Sequence, residues 1–508
     1  MSTRTSLTTL AAALAATAAL PAAADAGTFC VQAPSCVGTA SANVPTALDA
    51  AAQAPGHDRV ELGAGTYSIP TGVTYPGTAS NRVTVAGTGA STIITAPASN
   101  GPVTLLYLSY GDLEDVRLRV PDQTGGATSR GLRLAEGTAE RVSTVDDGTP
   151  TGVQIGVDLE PGGVLREVDV DLSGTLQQKG VSVDGAGART IEDSAIDAPT
   201  GVIVAGAASE LTVRRSVVGG TTGLLMYGGT VAVADSLVRG AQLGIEATAT
   251  DPGSTSSLAL EGATVLAGPA GKGLYAAGAG TAVMDVTARN TAFGGTKPIG
   301  RSDGATVQVL DSALLHSGVF GLGPGKVEIQ GGVNGMPAFA DAEGRLPVAS
   351  PLRDAGLLAP GQSALDLDGN PRVQGWTVDI GAYELAALPA PAPAPAASDE
   401  PARVAEAPAP AQDPVAEQLP GTSAPLSEAP VDALAPQISQ LRRHGRTVRF
   451  RLSEPARVTV AARRGERTVD LEAGRQQVRV PSRRAPITLR AVDAAGNSSA
   501  PLKVRGRR

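Results

Sequence analysis

The sequence predicts an all-β protein in which a parallel β-helix is followed by a Pro-rich linker and a small β-sandwich. Three observations support this prediction: a repeat of about 21 residues, 63 glycines in a chain of 508 residues, and an aromatic content of only 3%. A compact core of this length would use more aromatic side chains, whereas closely stacked backbones favour small residues. The length also exceeds what one ordinary core supports, which favours several domains or an elongated repeat.

Residues 1–26 have the pattern of a secretory signal peptide. Arg4 precedes an apolar run from Leu7 to Leu20, and the small residues around Ala24 and Ala26 form a cleavage site. The alternative, a membrane anchor, would need about 20 apolar residues, more than this run provides. We therefore expect a secreted or cell-surface protein whose mature chain has no transmembrane helix.

The chain has only two cysteines, Cys30 and Cys36, and both follow the cleavage site closely. In an oxidising compartment such a pair predicts a disulfide that closes a short loop. A zinc site is the alternative, but it would need further ligands that this neighbourhood lacks.

The repeat lies between residues 131 and 297, and each unit holds short runs of Val, Leu and Ile bounded by turn residues, which predicts strand, turn, strand, turn. Ordering one unit costs roughly 20 to 40 kcal/mol of backbone entropy. Five or six buried aliphatic side chains return only about 1.5 to 3 kcal/mol each, so single coils are unstable and must stack. The units begin at Gly131, Gly152, Gly180, Gly201, Gly223, Gly244 and Gly273.

Together with the stretch "ALDAAAQAPGHDRVELGAGTYSI", this repeat resembles the right-handed parallel β-helix of the pectate-lyase-like superfamily. The resemblance covers about residues 40–384 and implies a helix over residues 46–54 that caps the core. It implies little chemistry, because this fold occurs in lyases, hydrolases, esterases, adhesins and non-catalytic proteins. A leucine-rich repeat is the alternative, but the asparagine ladder and leucine spacing of that class are missing.

The β-helix is expected to span residues 27–384 and to end in "SPLRDAG", "LDLDGNPR" and "VDIGAYE". This ending closely resembles the terminal motif of the choice-of-anchor Q family of secreted bacterial β-helix proteins. Arg372 stands between acidic residues, which predicts a structural ion pair with Asp379 or Glu384. The only tryptophan, Trp376, is expected to cover the last coil.

Two bodies of opposite charge flank the predicted linker, which spans residues 385–436 and is rich in Ala, Pro and Glu. Residues 437–508 contain 18 Lys plus Arg and 5 Asp plus Glu, a net charge of +13. Their alternating strands predict a β-sandwich, and the ending "LRAVDAAGNSS" resembles immunoglobulin-like or fibronectin-like domains. Arg449 and Arg451 are candidate contacts to an anionic envelope polymer, with a merely solvated surface as the alternative.

An acidic row is the candidate metal site. Aligning the coils places Asp146, Asp171 and Asp197 above one another, where stacked carboxylates would bind a cation such as Ca²⁺. The alternative is that Asp is favoured in turns for local reasons. Asp366 and Asp368 have the spacing of a calcium loop, but the later acidic ligand is missing. A neighbouring row of mixed sign predicts ion pairs between coils: Glu167, Asp193, Arg215 and Asp235.

The sequence contains no nucleophile elbow and no Walker loop, and the residue sets of polygalacturonases and pectinesterases are also missing. Few aromatics argue against a deep saccharide cleft. We interpret the chain as a monomeric adhesin-like or structural protein that binds polysaccharide or envelope material, and the one cofactor that the sequence suggests is Ca²⁺. We expect no nucleic-acid partner, because no aromatics interleave with the arginines. The alternative is a polysaccharide lyase or hydrolase of the same fold.

Overall fold

The computed structural model confirms the all-β prediction: the chain forms a right-handed parallel β-helix of about ten coils. By its internal contacts the chain divides into two compact units, Met1–Ala396 and Ala397–Arg508. In the part of the chain that the structure describes, no helix is long and apolar enough to cross a membrane. The structure describes residues 26–122, 126–146, 152–172, 174, 177–314, 319–321, 325–331, 333–334, 339–341, 343–358, 362–386, 436, 438–444, 447–452, 456–462, 465–471, 474–479, 487–492, 498–499 and 502–504.

The predicted signal peptide and linker lie almost wholly outside the described residues, so both stay predictions. The described elements of the first unit begin with β1 (Thr28–Val31), β2 (Thr39–Ala40), α1 (Val44–Gln53), β3 (Gly56–Leu62), β4 (Gly65–Ser68), β5 (Val73–Tyr75), β6 (Asn81–Ala86), β7 (Thr92–Thr95), β8 (Val103–Leu108), β9 (Gly111–Glu114), β10 (Arg117–Val120), β11 (Thr128–Leu134) and β12 (Thr138–Glu140). They continue with β13 (Ser143–Asp146), β14 (Val153–Leu159), β15 (Val164–Arg166), β16 (Asp169–Asp171), β17 (Lys179–Asp184), β18 (Gly187–Glu192), β19 (Ala195–Asp197), β20 (Thr200–Ala205), β21 (Ser209–Arg214), β22 (Val217–Tyr227), β23 (Thr230–Ala234) and β24 (Leu237–Ala249). They end with β25 (Thr255–Glu261), β26 (Thr264–Ala267), β27 (Lys272–Gly278), β28 (Val283–Arg289), β29 (Ala292–Phe293), β30 (Lys297–Arg301), β31 (Ala305–Leu310), β32 (Ala313–Leu314), β33 (Val319–Gly321), β34 (Lys326–Gln330) and β35 (Val333–Asn334).

Each full coil contributes strands to three walls. The first wall is a parallel sheet of 14 strands, in the order β2, β1, β3, β6, β9, β12, β15, β18, β21, β23, β25, β28, β31 and β34. The remaining 21 strands form a second sheet that continues around a bend and supplies the second and third walls. In β22 and β24 a single strand runs through this bend. Pairing between coils satisfies the backbone, and the inward Val, Leu and Ile side chains form one continuous column.

A ladder of glycines lies at the bend between the second and third walls. A β-carbon at Gly201 would lie 2.5 Å from the carbonyl oxygen of Gly223 in the next coil, so only glycine fits. This explains the repeat, with one correction: the second unit is anchored by Gly156, not by Gly152 as the sequence suggested. The ladder comprises Gly131, Gly156, Gly180, Gly201, Gly223, Gly244 and Gly273.

At the corner between the first and second walls, one residue of most coils takes a left-handed conformation and the next residue points inward. Ser216 is such an inward residue: its Oγ donates to the carbonyl oxygen of Arg214 at 2.7 Å and accepts the N–H of Ser194 at 3.2 Å. Ser236 binds the N–H of Ser216 in the same way, at 3.1 Å. The left-handed residues include Asp115, Arg141, Glu167, Asp193, Arg215, Asp235, Asn290 and Asp311, with φ between 42° and 56°.

The N-terminal end of the column is covered by α1, as predicted, although the helix begins at Val44 rather than at Thr46. Asn43 caps it, because its side-chain oxygen accepts the N–H of Thr46 at 2.9 Å. The predicted disulfide between Cys30 and Cys36 is present and closes the loop after β1. The helix residues buried against the core are Val44, Ala47, Leu48 and Ala51.

The second unit contains two antiparallel sheets, β36–β37–β40 and β39–β38–β41–β42. The predicted apolar face of β37 is confirmed, since Val448, Phe450 and Leu452 are buried in one apolar cluster. The likeness to an immunoglobulin-like or fibronectin-like domain stays a prediction. The strands are β36 (Ile438–His444), β37 (Thr447–Leu452), β38 (Ala456–Ala462), β39 (Gly465–Leu471), β40 (Gly474–Arg479), β41 (Ile487–Val492) and β42 (Leu502–Val504).

Candidate functional site

The structure does not bring the three aspartates of the predicted metal site into one row. Asp171 pairs with Asp197 in the next coil, but its partner in the preceding coil is Val145, so Asp146 is displaced by one residue. The displacement arises because Val142, not Ser143, follows the left-handed turn residue of that coil. A shift of one residue along a strand reverses the side-chain direction. Among the described residues, no group of three or more metal-ligating side chains could hold an ion.

Asp197 has a cationic partner two coils away. Its Oδ2 lies 3.4 Å from Nη2 of Arg239, which reaches across Gly219 in the intervening coil. The bare glycine permits this approach, because a β-carbon at Gly219 would lie only 3.0 Å from Nε of Arg239. Asp171 and Asp197 therefore remain neighbours in adjacent coils, and Asp197 has a cationic partner in addition.

The mixed-sign row is partly confirmed as a set of ion pairs between coils. Arg215 binds Asp193 in the preceding coil through Nε at 2.9 Å, and it also contacts Glu192. The hydrogen bond that Arg215 donates to Asp193 is the main cause that raises the pKa of Arg215 above its ordinary value. Asp235, in contrast, has its cationic partner in the terminal motif.

Arg372 of that motif is buried and pairs with Asp235, which differs from the predicted partners. Its Nε lies 3.3 Å from Oδ1 of Asp235, and its Nη2 donates to the carbonyl oxygen of Gly381 at 2.6 Å. The carboxylates of Asp379 and Glu384 instead accept backbone N–H groups, with Glu384 binding the N–H of Asp379 at 2.6 Å. The terminal motif is thus joined to the middle of the β-helix.

The motif packs on the outside of the second wall rather than over the last coil. The N–H of Ala382 donates to Oγ1 of Thr264 at 2.8 Å, and Asn290 bonds the backbone of Leu357. Trp376 does not cover a coil as expected, since 95% of its surface is exposed. The apolar contact with the wall is formed by Ala292, Ala313, Leu346, Leu352 and Ile380.

Burial shifts the protonation of acids in this contact. It raises the pKa of Asp235 to about 6, an effect that the positive charge of Arg372 only partly opposes. Burial raises the pKa of Glu384 to about 8. The hydrogen bond that it accepts from the backbone N–H of Asp379 has the opposite effect but is smaller. Both carboxyl groups therefore hold protons at pH values at which exposed acids are ionised.

The third wall carries an outward face that the sequence reading missed, with charged and tyrosine side chains at its two ends and several Ile and Leu residues between them. We call it the third-wall face and define it by two rows that flank the glycine ladder. The residue two positions after each glycine gives Arg133, Asp158, Ser182, Ile203, Leu225, Glu246 and Tyr275, with Tyr107 preceding them in the same row. The residue before each glycine gives Arg130, Ile155, Lys179, Thr200, Thr222, Leu243 and Lys272, followed by Lys297.

One end of this face holds a cluster from adjacent coils. The guanidinium of Arg133 lies 4.7 Å from the ring centre of Tyr107, and its Nε donates to Glu160 at 2.6 Å. The hydroxyl of Tyr107 donates to the same carboxylate at 3.2 Å, while Arg130 binds Asp158 at 2.9 Å. Burial raises the pKa of Asp158 and of Tyr107.

The other end repeats the pairing of a cation with a tyrosine. Nζ of Lys272 lies 4.4 Å from the ring centre of Tyr275, and Lys297 follows Lys272 in the next coil. Coils stack at about 4.8 Å, so the eight-residue row from Tyr107 to Tyr275 extends roughly 34 Å. The spacing of outward residues from the ladder glycines was the signal that could have revealed this face.

Arg449 and Arg451, the predicted surface contacts of the second unit, lie in β37 opposite Gln477 and Arg475 of β40. Their side chains lie outside the described part of the structure. Their role in attachment therefore stays a prediction.

No family model matches the chain, and no curated protein sequence matches it. Among solved structures the chain is similar to pectate lyase Pel9A, with 12% identity and a TM-score of 0.40 over 71% of this chain and 97% of that one. It is also similar to PfbA, a surface adhesin of Streptococcus pneumoniae, with 11% identity and a TM-score of 0.34 over 57% and 86% of the two chains. A catalytic domain of a GH87 α-1,3-glucanase gives 12% identity and a TM-score of 0.30 over 61% and 67%. Likenesses of this size establish no family, and the resemblance to choice-of-anchor Q proteins stays a prediction.

Proposed function

We propose that this chain is an exported or cell-surface β-helix protein that binds an extended polysaccharide along the third-wall face. The observation that carries the proposal is the pair of cation–tyrosine contacts, Arg133 with Tyr107 and Lys272 with Tyr275, whose tyrosines stand at the two ends of one row. Tyrosine rings offer stacking surfaces for sugars, and the ring's hydroxyl and the neighbouring cations offer hydrogen bonds.

The charges on the face favour a polymer that carries carboxylates. Lys272 and Lys297 are neighbours in one row, and Lys179 lies in the same row beyond three coils that carry no charge there. Ion pairs with acids hold the side chains of Arg130 and Arg133 in place. Arg and Lys recognise carboxylates through charge-assisted hydrogen bonds. The row that joins the two polar ends extends roughly 34 Å, which suits an extended polymer that contacts both ends.

The proposal is tested by binding of the full mature chain to immobilised polysaccharides. The panel contains polygalacturonate and alginate as uronate polymers and dextran as a neutral one. We expect retention on a uronate polymer that weakens as salt is raised, and no retention on dextran. Equal retention on all three, or on none, contradicts the proposal.

A second candidate, cleavage of the bound polymer, is favoured by the cluster around Asp158. A carboxyl group whose pKa is raised by burial can serve as a general acid, and Arg133 and Tyr107 can hold a substrate beside it. Product assays for reducing ends and for unsaturated uronates test this candidate. Activity that is lost in Asp158→Asn, while polysaccharide binding is retained, would establish cleavage. If the wild type forms no product, polysaccharide binding without cleavage is the function that remains.

A further inference from the structure

We infer that the Ala26–Gly27 peptide bond is a processing site and that the new α-ammonium group of Gly27 docks on the buried carboxylate of Asp58. The inference uses the export that the proposed function includes, but it does not use the glycan site. Hydrolysis by an exported processing peptidase adds one water molecule. Ala26 leaves with the new carboxylate, and the nitrogen of Gly27 gains the protons of an ammonium group.

The docking site is already formed in the structure. The backbone nitrogen of Gly27 lies 2.6 Å from Oδ1 of Asp58, whose side chain is fully buried. The carbonyl oxygen of Gly27 accepts the N–H of Arg59 at 2.8 Å, so the residue is held as an extension of β1 beside β3. The nitrogen therefore points at the carboxylate without any rearrangement.

Within the described part of the chain, the side chain of Asp58 has fewer partners than a buried carboxylate requires. Its Oδ2 has no hydrogen-bond partner in the described part of the chain. No Lys, Arg or His nitrogen described by the structure forms an ion pair with it; the nearby Arg82 pairs with Asp112 instead. An uncompensated buried charge is costly, and a single amide N–H satisfies only one oxygen. An ammonium group supplies the missing positive charge and further donors for Oδ2.

The sequence at the junction fits this arrangement. A β-carbon at position 27 would lie 3.1 Å from both Oδ1 of Asp58 and the ring of Phe29, so the site favours glycine as the first residue of the processed chain. Ala26, the residue removed with the leader, is exposed. Cleavage one residue earlier or later would place the ammonium group away from the carboxylate.

The first test expresses the full precursor in a secreting host and determines the N-terminus of the exported protein. We expect Gly27 as the first residue. The second test measures amide exchange of Gly27–Val31 by mass spectrometry in the mature chain, in the same chain with Ala26 retained, and in Asp58→Asn with either start. We expect about tenfold faster exchange when Ala26 is retained, and no further effect of Ala26 in the Asp58→Asn background. Asp49→Asn, which changes an exposed acid on α1, is the matched control and should leave exchange unchanged.

A different first residue overturns the inference, and so does an equal effect of Ala26 in both backgrounds. If the Asp58→Asn variant is not exported, the test uses the mature wild-type chain with its α-amino group acetylated. Unchanged amide exchange of Gly27–Val31 after acetylation would contradict the ammonium–carboxylate contact. Loss of glycan binding in these variants is not expected, so failure here is distinguishable from failure of the proposed function.

Discussion

Nε of Arg372 lies 3.3 Å from Oδ1 of Asp235, and both side chains are almost completely buried, although one belongs to the terminal motif and the other to the middle of the β-helix. This pair joins two parts of the chain that are distant in sequence. Because the solenoid is built of similar coils, such a contact defines which coils the terminal motif covers. It therefore offers the most informative position for a stability measurement.

Replacing Arg372 should destabilise the β-helix strongly. Arg372→Ala leaves Asp235 buried without its cation, which costs about 3 to 5 kcal/mol for a buried pair. Thermal denaturation should show the loss, with a smaller effect at pH 5, where Asp235 takes up a proton, than at pH 8. Arg166→Ala, which breaks an exposed pair with Glu192, is the control and should cost at most about 1 kcal/mol. Equal effects of the two variants would contradict this role.

Glu384 should make the stability of the β-helix decrease as the pH rises. Its pKa is about 8 in the folded state and near 4.5 in the unfolded state, so the folded state holds more protons between these values. The contribution of Glu384 to the free energy of unfolding is fully present below about pH 4.5 and is lost as the pH rises through 8. The loss amounts to at most about 1.4 kcal/mol per pH unit. In Glu384→Gln the melting temperature should fall less between pH 6 and pH 9 than in the wild type. Parallel pH profiles would show that Glu384 does not titrate there.

The glycine ladder predicts a steric penalty for the smallest possible substitution. In Gly201→Ala the new methyl group would press against the carbonyl oxygens of Gly223 and Gly219, at an expected cost of about 1 to 3 kcal/mol. Chemical denaturation measures the change. Gly101→Ala is the control, because a β-carbon there meets nothing within 4 Å and alanine restricts the unfolded chain. A ladder without structural importance would give two variants of equal stability.

The stacked serines should stabilise the core through their hydroxyl groups. Ser216→Ala removes the acceptor of the buried N–H of Ser194 at 3.2 Å, and an unsatisfied buried donor costs about 1 to 3 kcal/mol. Ser257→Ala, which removes only an exposed contact with Thr230, should be close to neutral. Denaturation midpoints of the two variants decide the question, and a neutral Ser216→Ala would contradict it.

Much of the fold could be predicted because its information is local and repeated. Alternating aliphatic residues and regularly spaced glycines follow from the stacking of coils, and the helix α1 follows from Asn43 and its apolar face. The pairing register of the strands was harder to predict. Because insertions lie between Gly131 and Gly180, alignment of the sequence repeats placed Gly152 in the glycine ladder in place of Gly156. The same alignment placed Asp146 one residue out of register. Such an error reverses a side chain from one face of the sheet to the other.

The sites were harder to predict than the fold because they depend on contacts between distant segments. Nothing local to Arg372 distinguishes Asp235 from the nearer acids Asp379 and Glu384 as its partner. The exposure of Trp376 likewise depends on where the terminal motif docks. The third-wall face could have been found, since its residues stand at fixed distances from the ladder glycines, but that requires knowing which side of the strand points outward.

The most direct test of polysaccharide binding on the third-wall face is a calorimetric titration of the full mature chain with a uronate oligosaccharide, comparing the wild type with Lys272→Ala, Tyr275→Ala and Arg214→Ala. Lys272 and Tyr275 form one end of the face, whereas Arg214 is an exposed residue of the first wall. We expect the two third-wall variants to weaken binding by about tenfold each, which corresponds to 1.4 kcal/mol, and Arg214→Ala to bind like the wild type. Unchanged affinity in both third-wall variants, or a loss confined to Arg214→Ala, would contradict the account.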